Sequence, residues 1–216
     1  MKKFAVILVV VFTLLSVSVS FAAEDIKLPD PEKTGGIGVI DAIAQRQSAG
    51  DFVDTEISLE ELSTLLWVAG GVNRENGKLT YATASNVQDI IIFAFTKSGV
   101  YKYNPVGHSI TEIAKGDHRG LTGTPRQAFV SRAAVDLLFI QDTGKWPEGR
   151  PADVVLNCGF AHVGFSMQNV YLYAASKGWG ARTRMNFDRK ELTKLLGLTK
   201  KHNFTLMQCV GPTPKQ

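Results

Sequence analysis

Four short stretches combine residue types that can hold a flat, phosphate-bearing ligand. In Ala44-Gln45-Arg46-Gln47-Ser48-Ala49-Gly50-Asp51-Phe52, an arginine and a hydroxyl stand where a helical pattern gives way to a loop. A guanidinium can hold phosphate oxygens through two parallel bonds, and the Ser48 hydroxyl can add a third. On spacing alone, the ordinary reading of Arg46 is a solvated side chain near a helix end. Ala82-Thr83-Ala84-Ser85-Asn86-Val87-Gln88 places small polar residues directly before an apolar strand pattern. Its amides, Asn86 and Gln88, both donate and accept, which suits the edge of a heteroaromatic ring, and its small residues let a ring approach the backbone. Taken alone, it is also what a polar turn before a strand looks like. Gly164-Phe165-Ser166-Met167-Gln168-Asn169 puts two amides inside an apolar helical run, where core hydrogen bonding is the commoner role. Arg184-Met185-Asn186-Phe187 reads as a short strand before a capped helix, a place where backbone can face a ligand edge.

Other chemistries lack their pattern. Gly35-Gly36-Ile37-Gly38 does not follow a strand, so it is not a dinucleotide fingerprint. There is no Gly-x-Ser-x-Gly elbow. The 4 histidines are scattered, and no Cys/His group has metal-ligand spacing. Asp117-His118-Arg119 is a polar cluster better read as a loop than as a catalytic dyad. The 2 cysteines, Cys158 and Cys209, both sit in apolar runs and read as free thiols rather than a bridge. The formal net charge of +4 is not gathered into a basic block, so nucleic acid is not an expected partner.

The elements that must position these residues follow from periodicity. Gly36 to Gln47 carries apolar residues at helical spacing. Ser58-Leu59-Glu60-Glu61 is a capping box, opening a helix with Leu59, Leu62, Leu66 and Ala69 on one face and ending at Gly70-Gly71. Asp89 to Thr96 is a buried-strand pattern, and Gly99 to Asn104 alternates after a Ser-Gly turn, so the two form a hairpin. Pro125 to Arg132 reads as a short helix, Ala133 to Gln141 as a strand, and Lys145 to Pro151 as a loop. Asp153 to Lys177 is a long helix capped by Gly178. Arg182 to Phe187 is a short strand, Asp188 caps a helix through Leu195 and Leu196 that Gly197 ends, and Phe204 to Val210 is a last strand. Helices around about four strands place the chain in the α+β class.

The N-terminus reads as an export signal. Lys2 and Lys3 precede an apolar run from Phe4 to Val19, and Ser20-Phe21-Ala22 offers small residues for cleavage before Ala23. The expected organisation is a signal peptide over 1–22, an extended arm over 23–35 and a single domain over 36–216. The expected location is periplasmic or secreted, with no membrane attachment after cleavage.

Taken together, the segments resemble the nitroreductase family, whose members bind flavin mononucleotide (FMN). Arg46-Gln47-Ser48 resembles its Arg-x-Ser phosphate motif. Ala82 to Gln88 resembles its Pro-Ser-x-x-Asn-x-Gln loop, with Asn86 and Gln88 matching the two amides. Gly164 to Gly180 resembles its central helix, and Leu192 to Leu198 with Phe204 to Gly211 its closing helix and strand. The compact branch that oxidises azoline rings of peptides is the most similar in flavour. The resemblance implies an α+β fold, a mixed sheet flanked by helices, in an interlocked homodimer with two flavins at the interface. It implies that Arg46, Gln47 and Ser48 hold the phosphate, that Thr83, Ala84, Asn86 and Gln88 meet the ring from the other subunit, and that Asn186 lies near the ring. The implied activity is hydride transfer between bound flavin and a small molecule, with no catalytic side chain; the alternative is a non-catalytic flavin- or ligand-binding module of the same fold. Departures from the family pattern are Gly50, where a second basic residue often stands, Ala82 for the loop proline, Met185 for an acidic residue, and a C-terminus whose basic pair is reduced to Lys215. Losing two cations around a phosphate dianion costs several kcal/mol of binding, which Arg184 or Arg119 would have to offset.

Overall fold

The computed structural model describes residues 25–214, so the export segment lies outside the described residues. The elements run β1 (Asp25–Lys27), α1 (Val39–Gln45), α2 (Leu59–Gly70), β2 (Ile90–Phe95), β3 (Gly99–Asn104), β4 (Ser109–Lys115), β5 (Val135–Asp142), α3 (Ala152–Ser176), β6 (Trp179–Arg184), α4 (Arg189–Leu195) and β7 (His202–Pro212). Seven strands form a single sheet in the order β1-β4-β3-β2-β5-β7-β6, and each neighbouring pair is antiparallel. The α+β class is as expected, but the strands outnumber the expected four. The strands that sequence patterning missed are β1 and β4. All three β1 residues are exposed, and most of β4 is only half-buried, so neither carries the apolar alternation by which a strand is recognised.

Side-chain alternation along the central strands builds two cores. Ile90, Ile92 and Ala94 of β2, with Val135, Leu137 and Phe139 of β5, pack with Leu65 and Leu66 of α2 and Val163, Met167 and Val170 of α3. The intervening Phe93, Phe95, Leu138 and Ile140 face the other way, onto Phe187, Leu192 and Met207. Strand period 2 thus divides one apolar run between two layers. Each fully buried Leu or Phe contributes about 1.5–3 kcal/mol by leaving water.

Local signals fix the helix ends. Ser58 Oγ accepts from Glu61 N (3.1 Å) and Ser58 N donates to Glu61 Oε2 (3.1 Å), closing the expected capping box. Asp188 caps α4 by accepting from Glu191 N at 3.0 Å. Gly178, just after α3, has φ +68°, a left-handed conformation that glycine adopts without a Cβ clash. Gly159 solves a different problem: a Cβ there would collide with the Gln141 amide, so its absence lets α3 approach β5. The stretch 128–132 is a 3-10 turn rather than an α-helix, and β6 lies earlier than the expected Arg182 to Phe187.

The arm is tied down along its length. After β1 extends the sheet edge at β4, Leu28 N donates to His108 O (3.1 Å), Pro29 O accepts from Ser63 Oγ (2.5 Å), and Glu32 N donates to Thr64 Oγ1 (3.0 Å). Both cysteines are free; Cys209 is buried and Cys158 half-buried.

Candidate functional site

The Arg46 segment is laid against β6. As α1 ends, Arg46 N donates to Ala42 O (2.9 Å); two residues on, Ser48 forms a parallel bridge with Ala181, and Ala49 N donates to Ala181 O (2.9 Å). Gly180 permits this approach, because a Cβ there would lie 2.6 Å from Ala49 Cβ and also clash with Thr213. The Arg46 guanidinium sits 5.5 Å from the Tyr171 ring centroid. The Tyr171 hydroxyl in turn stands 3.4 Å from Ser48 Oγ and accepts from Thr183 N at 3.0 Å. Arg46, Gln47, Ser48 and Gly50 line a cleft of about 650 Å3 whose far wall is Ala175, Gly178 and Trp179. The neighbouring acid on the rim, Asp51, is committed: Arg132 Nη2 reaches it at 2.7 Å and Phe52 N at 2.8 Å. The Arg132 bond, followed by the Phe52 bond, holds its carboxyl below the usual range. Arg46 makes no ion pair with any described acid.

The Ala82–Gln88 loop turns through a 3-10 segment, Ala84–Asn86, in which Ser85 and Asn86 have φ of 50° and 55°; Gln88 follows with φ 47°. Non-glycine residues in this region cost about 1–2 kcal/mol each, so the surroundings must supply the restraint. Gln88 Nε2 donates to Gly77 O (3.0 Å) and Asn86 Oδ1 (3.3 Å), Gln88 N donates to Thr83 Oγ1 (3.2 Å), and Lys145 Nζ donates to Gln88 O (2.8 Å). Beneath the loop, Ala84 N donates to His162 Nε2 at 2.8 Å, and His162 Nδ1 lies 2.7 Å from Asp89 Oδ1. Asp89 Oδ2 accepts from Trp146 Nε1 (2.7 Å) and Gln141 Nε2 (2.8 Å). Because Nε2 accepts, the imidazole proton is assigned to Nδ1 and donated to Asp89. Both His162 and Asp89 are buried.

Sequence reasoning missed this Asp89–His162 pair. The signal it could have used was periodicity: His162 falls on the stripe of α3 that also holds Val155, Gly159, Val163, Ser166 and Val170, and a histidine on a buried stripe demands partners.

The two segments do not meet within one chain. Thr83, Asn86 and Gln88 line their own cleft of about 310 Å3 with Tyr81 and Arg74. The loop is anchored at His162 and the Arg46 cleft reaches Ala175, also on α3; at 1.5 Å per residue the two lie about 20 Å apart along the helix axis. Asn186 is exposed, lines neither of these clefts, and accepts from Arg184 Nη1 at 3.4 Å through its carbonyl. Asn169 donates to Thr80 O (3.0 Å), the core role read for it, while Gln168 is exposed.

Neither cation suggested as an offset for Gly50 is free to serve. Arg119 is buried, bonded to Asp117 Oδ2 at 2.7 Å and Ala133 O at 2.6 Å. Arg184 is buried with its Nε on Cys209 Sγ (3.2 Å) and its Nη2 near Thr122 Oγ1 (3.3 Å). Both guanidiniums satisfy core acceptors and cannot turn outward without leaving these unpaired.

An antiparallel sheet packed on α2 and α3, with one polar cleft beside the middle of α3 and another at its C-terminal end, is the architecture of a recognised class of oxidoreductases. The nitroreductase family model matches residues 43–212. A Methanocaldococcus jannaschii protein described as a candidate nitroreductase is 30% identical over 187 residues, covering 80% of this chain and 89% of its own length. The crystal structure of a candidate nitroreductase from Ralstonia eutropha superposes with a TM-score of 0.80 at 31% identity, over 89% of this chain and 90% of that one. A Staphylococcus epidermidis structure described as a candidate NAD(P)H:FMN oxidoreductase shares the fold, with a TM-score of 0.60 at 11% identity over 86% of this chain and 92% of that one. The chain belongs to the nitroreductase family.

Proposed function

We propose that the protein is an exported, FMN-dependent oxidoreductase that works as a homodimer on a small-molecule substrate. The observation that carries this reading is Arg46: a half-buried guanidinium with no acid partner among the described residues, held over Tyr171 beside the Ser48 hydroxyl at the mouth of a 650 Å3 cleft. That donor set fits a phosphate, since Arg46 supplies charge and a fork while Gln47 and Ser48 supply neutral donors. Thr83, Ala84, Asn86 and Gln88 fit a flat ring edge by offering amide and hydroxyl groups on a braced loop, and Asn186 would stand near it. When bound, the flavin supplies hydride transfer through its N5, so no side chain of this protein need act as nucleophile or base.

The separation of the two clefts, about 20 Å along α3, is why a dimer is part of the proposal. α3 leaves Leu156, Phe160, Ala161, Gly164 and Phe165 exposed on one side, and α1 exposes Val39, Ile40 and Ile43. An apolar helix face of this kind is costly in water and suits a two-fold partner. A two-fold axis crossing α3 near Gly164 would pair the helices antiparallel. By the same rise it would leave the Arg46 cleft of one chain about 13 Å along the axis from the loop anchor of the other, nearer than the roughly 20 Å within one chain.

A second reading, a flavin- or ligand-binding module without turnover, is favoured by Gly50 and by the buried commitments of Arg119 and Arg184, which leave the phosphate with fewer cations. The absorbance of purified protein tests the first reading. A flavin spectrum that bleaches with dithionite and returns on adding a quinone or nitroarene supports it; a spectrum without turnover supports the module; a colourless protein that fails to bind added FMN sinks both. Export is tested by the mass of the secreted or periplasmic protein, expected to begin at Ala23.

A further inference from the structure

The left-handed backbone of Ser85, Asn86 and Gln88 needs an external hold. Of the outside groups bonded to the loop, only the His162 imidazole is a buried side chain. Most of its neighbours on the inner stripe of α3, including Val163, Met167 and Val170, are apolar, Ser166 being the polar exception. A buried imidazole–carboxylate pair is harder to accommodate than an apolar pair of the same volume, so packing does not explain it. A nucleophile relay does not explain it either, because Nε2 already receives a main-chain N–H and not a hydroxyl or thiol. What the imidazole contributes is one lone pair, aimed at Ala84 N–H.

Asp89 decides where that lone pair is. Trp146 Nε1 and Gln141 Nε2 both donate to Oδ2, so Oδ1 is left facing His162 Nδ1. The carboxylate therefore draws the imidazole proton to Nδ1 and leaves Nε2 open as an acceptor. Trp146 also lies parallel to the imidazole, 6.3 Å between centroids and 5° between planes, which limits rotation of the ring.

We infer that His162 is a positioning residue for the ring-facing loop, and that Asp89 acts through it by fixing the tautomer that holds Ala84 N–H. This deepens the reading of the Ala82–Gln88 loop as the ring-binding side and rests on it. The network gives a sharp expectation for Asp89→Asn, which keeps shape and volume. The donors Trp146 and Gln141 require the amide oxygen to sit at the Oδ2 position. The amide NH2 then faces His162 Nδ1, and the imidazole proton must move to Nε2. There it meets Ala84 N–H donor to donor, and the loop loses its anchor. A wrong-tautomer effect of this kind arises without any change in packing volume.

The experiment measures binding of FMN and of riboflavin, which has the ring without the phosphate, to the apo-protein by flavin fluorescence. Asp89→Asn and His162→Leu are each expected to weaken both ligands by the same factor, about tenfold or more. His162→Gln, whose amide oxygen can accept from Ala84 N–H while its NH2 donates to Asp89, is expected to stay near wild type. Unchanged affinity in a folded Asp89→Asn protein overturns the inference, as does a loss confined to FMN or a loss that His162→Gln shares. Wild-type protein that binds neither ligand overturns the ring-side reading and the inference with it. Wild-type binding with indifferent variants overturns the inference alone. If His162→Leu does not fold, Asp89→Asn and His162→Gln decide the matter.

Discussion

Arg46 and Tyr171 form a cation–π pair, the guanidinium 5.5 Å from the ring centroid, although they come from different helical segments. The tyrosine sets where the charge sits and its hydroxyl reaches Ser48, so one residue of α3 organises two of the three expected phosphate ligands. Removing the charge should therefore be worse than removing the hydroxyl. Arg46→Ala is expected to weaken FMN by about 10- to 100-fold while leaving riboflavin nearly unchanged. Tyr171→Phe should weaken FMN less than about fivefold, because the ring still supports Arg46. Fluorescence titration with the two flavins measures both.

The exposed side of α3 gives a test of association. Apart from its own helical turn, no described atom lies within 4 Å of a Cβ built on Gly164, so Gly164→Leu has room at its Cβ within a protomer. In a dimer crossing at that point it would force the helices apart. Sedimentation velocity should show a folded monomer, and flavin retention should fall with the dimer, since each site would draw on both chains.

The N-terminal arm is expected to stabilise the domain and to protect it. Leu28 is only 2% exposed, and truncating such a leucine typically removes about 2–4 kcal/mol. Urea unfolding of Leu28→Ala should show a lower midpoint at unchanged slope. Removing residues 23–35 would also bare the edge of β4, and light scattering on warming should rise earlier than for the full chain.

Asp136 makes stability depend on pH. Burial raises its pKa from 3.8 to about 6, against the opposing pull of Arg184, Cys209, Thr122 and Arg119. One oxygen accepts from Thr122 Oγ1 at 2.6 Å and the other has no partner. A folded-state pKa above the unfolded one means stability that is full below about pH 4 and is lost as pH rises through about 6. By pH 8 the carboxylate is ionised in both states and the loss is complete, at about 3 kcal/mol. Thermal unfolding of Asp136→Asn, compared with wild type between pH 4 and 8, should lack this decline. Parallel curves would remove Asp136 as its source.

The pieces legible in the sequence were those whose cause is local. The box at Ser58–Glu61 needs only residues three apart, and Gly178 needs only a left-handed turn after a long apolar helix. The Arg46 and Asn86 segments were legible as donor sets because residue type alone sets what can donate or accept. β1 and β4 were not legible, because β1 at the sheet edge and β4 beside it gain their stability from neighbouring backbone, which leaves little periodic trace in their own side chains. Arg119 and Arg184 show the same limit from the other side. As charges in sequence they looked free to meet a phosphate, yet Arg119 is buried against Asp117 and Ala133 O, and Arg184 against Cys209 and Thr122 far along the chain.

The sequence by itself determined the α+β class, the capped ends of α2, α3 and α4 and the chemistry that each candidate segment could offer, since capping, periodicity and functional groups act over a few residues. Only the tertiary structure decided that the Arg46 segment packs at the C-terminal end of α3 and the Asn86 loop against its middle, and that Asp89, Gln141, Trp146 and His162 converge beneath Ala84. Those facts depend on how α3 lies across the sheet, and that placement is fixed by close packing of side chains far apart in the chain.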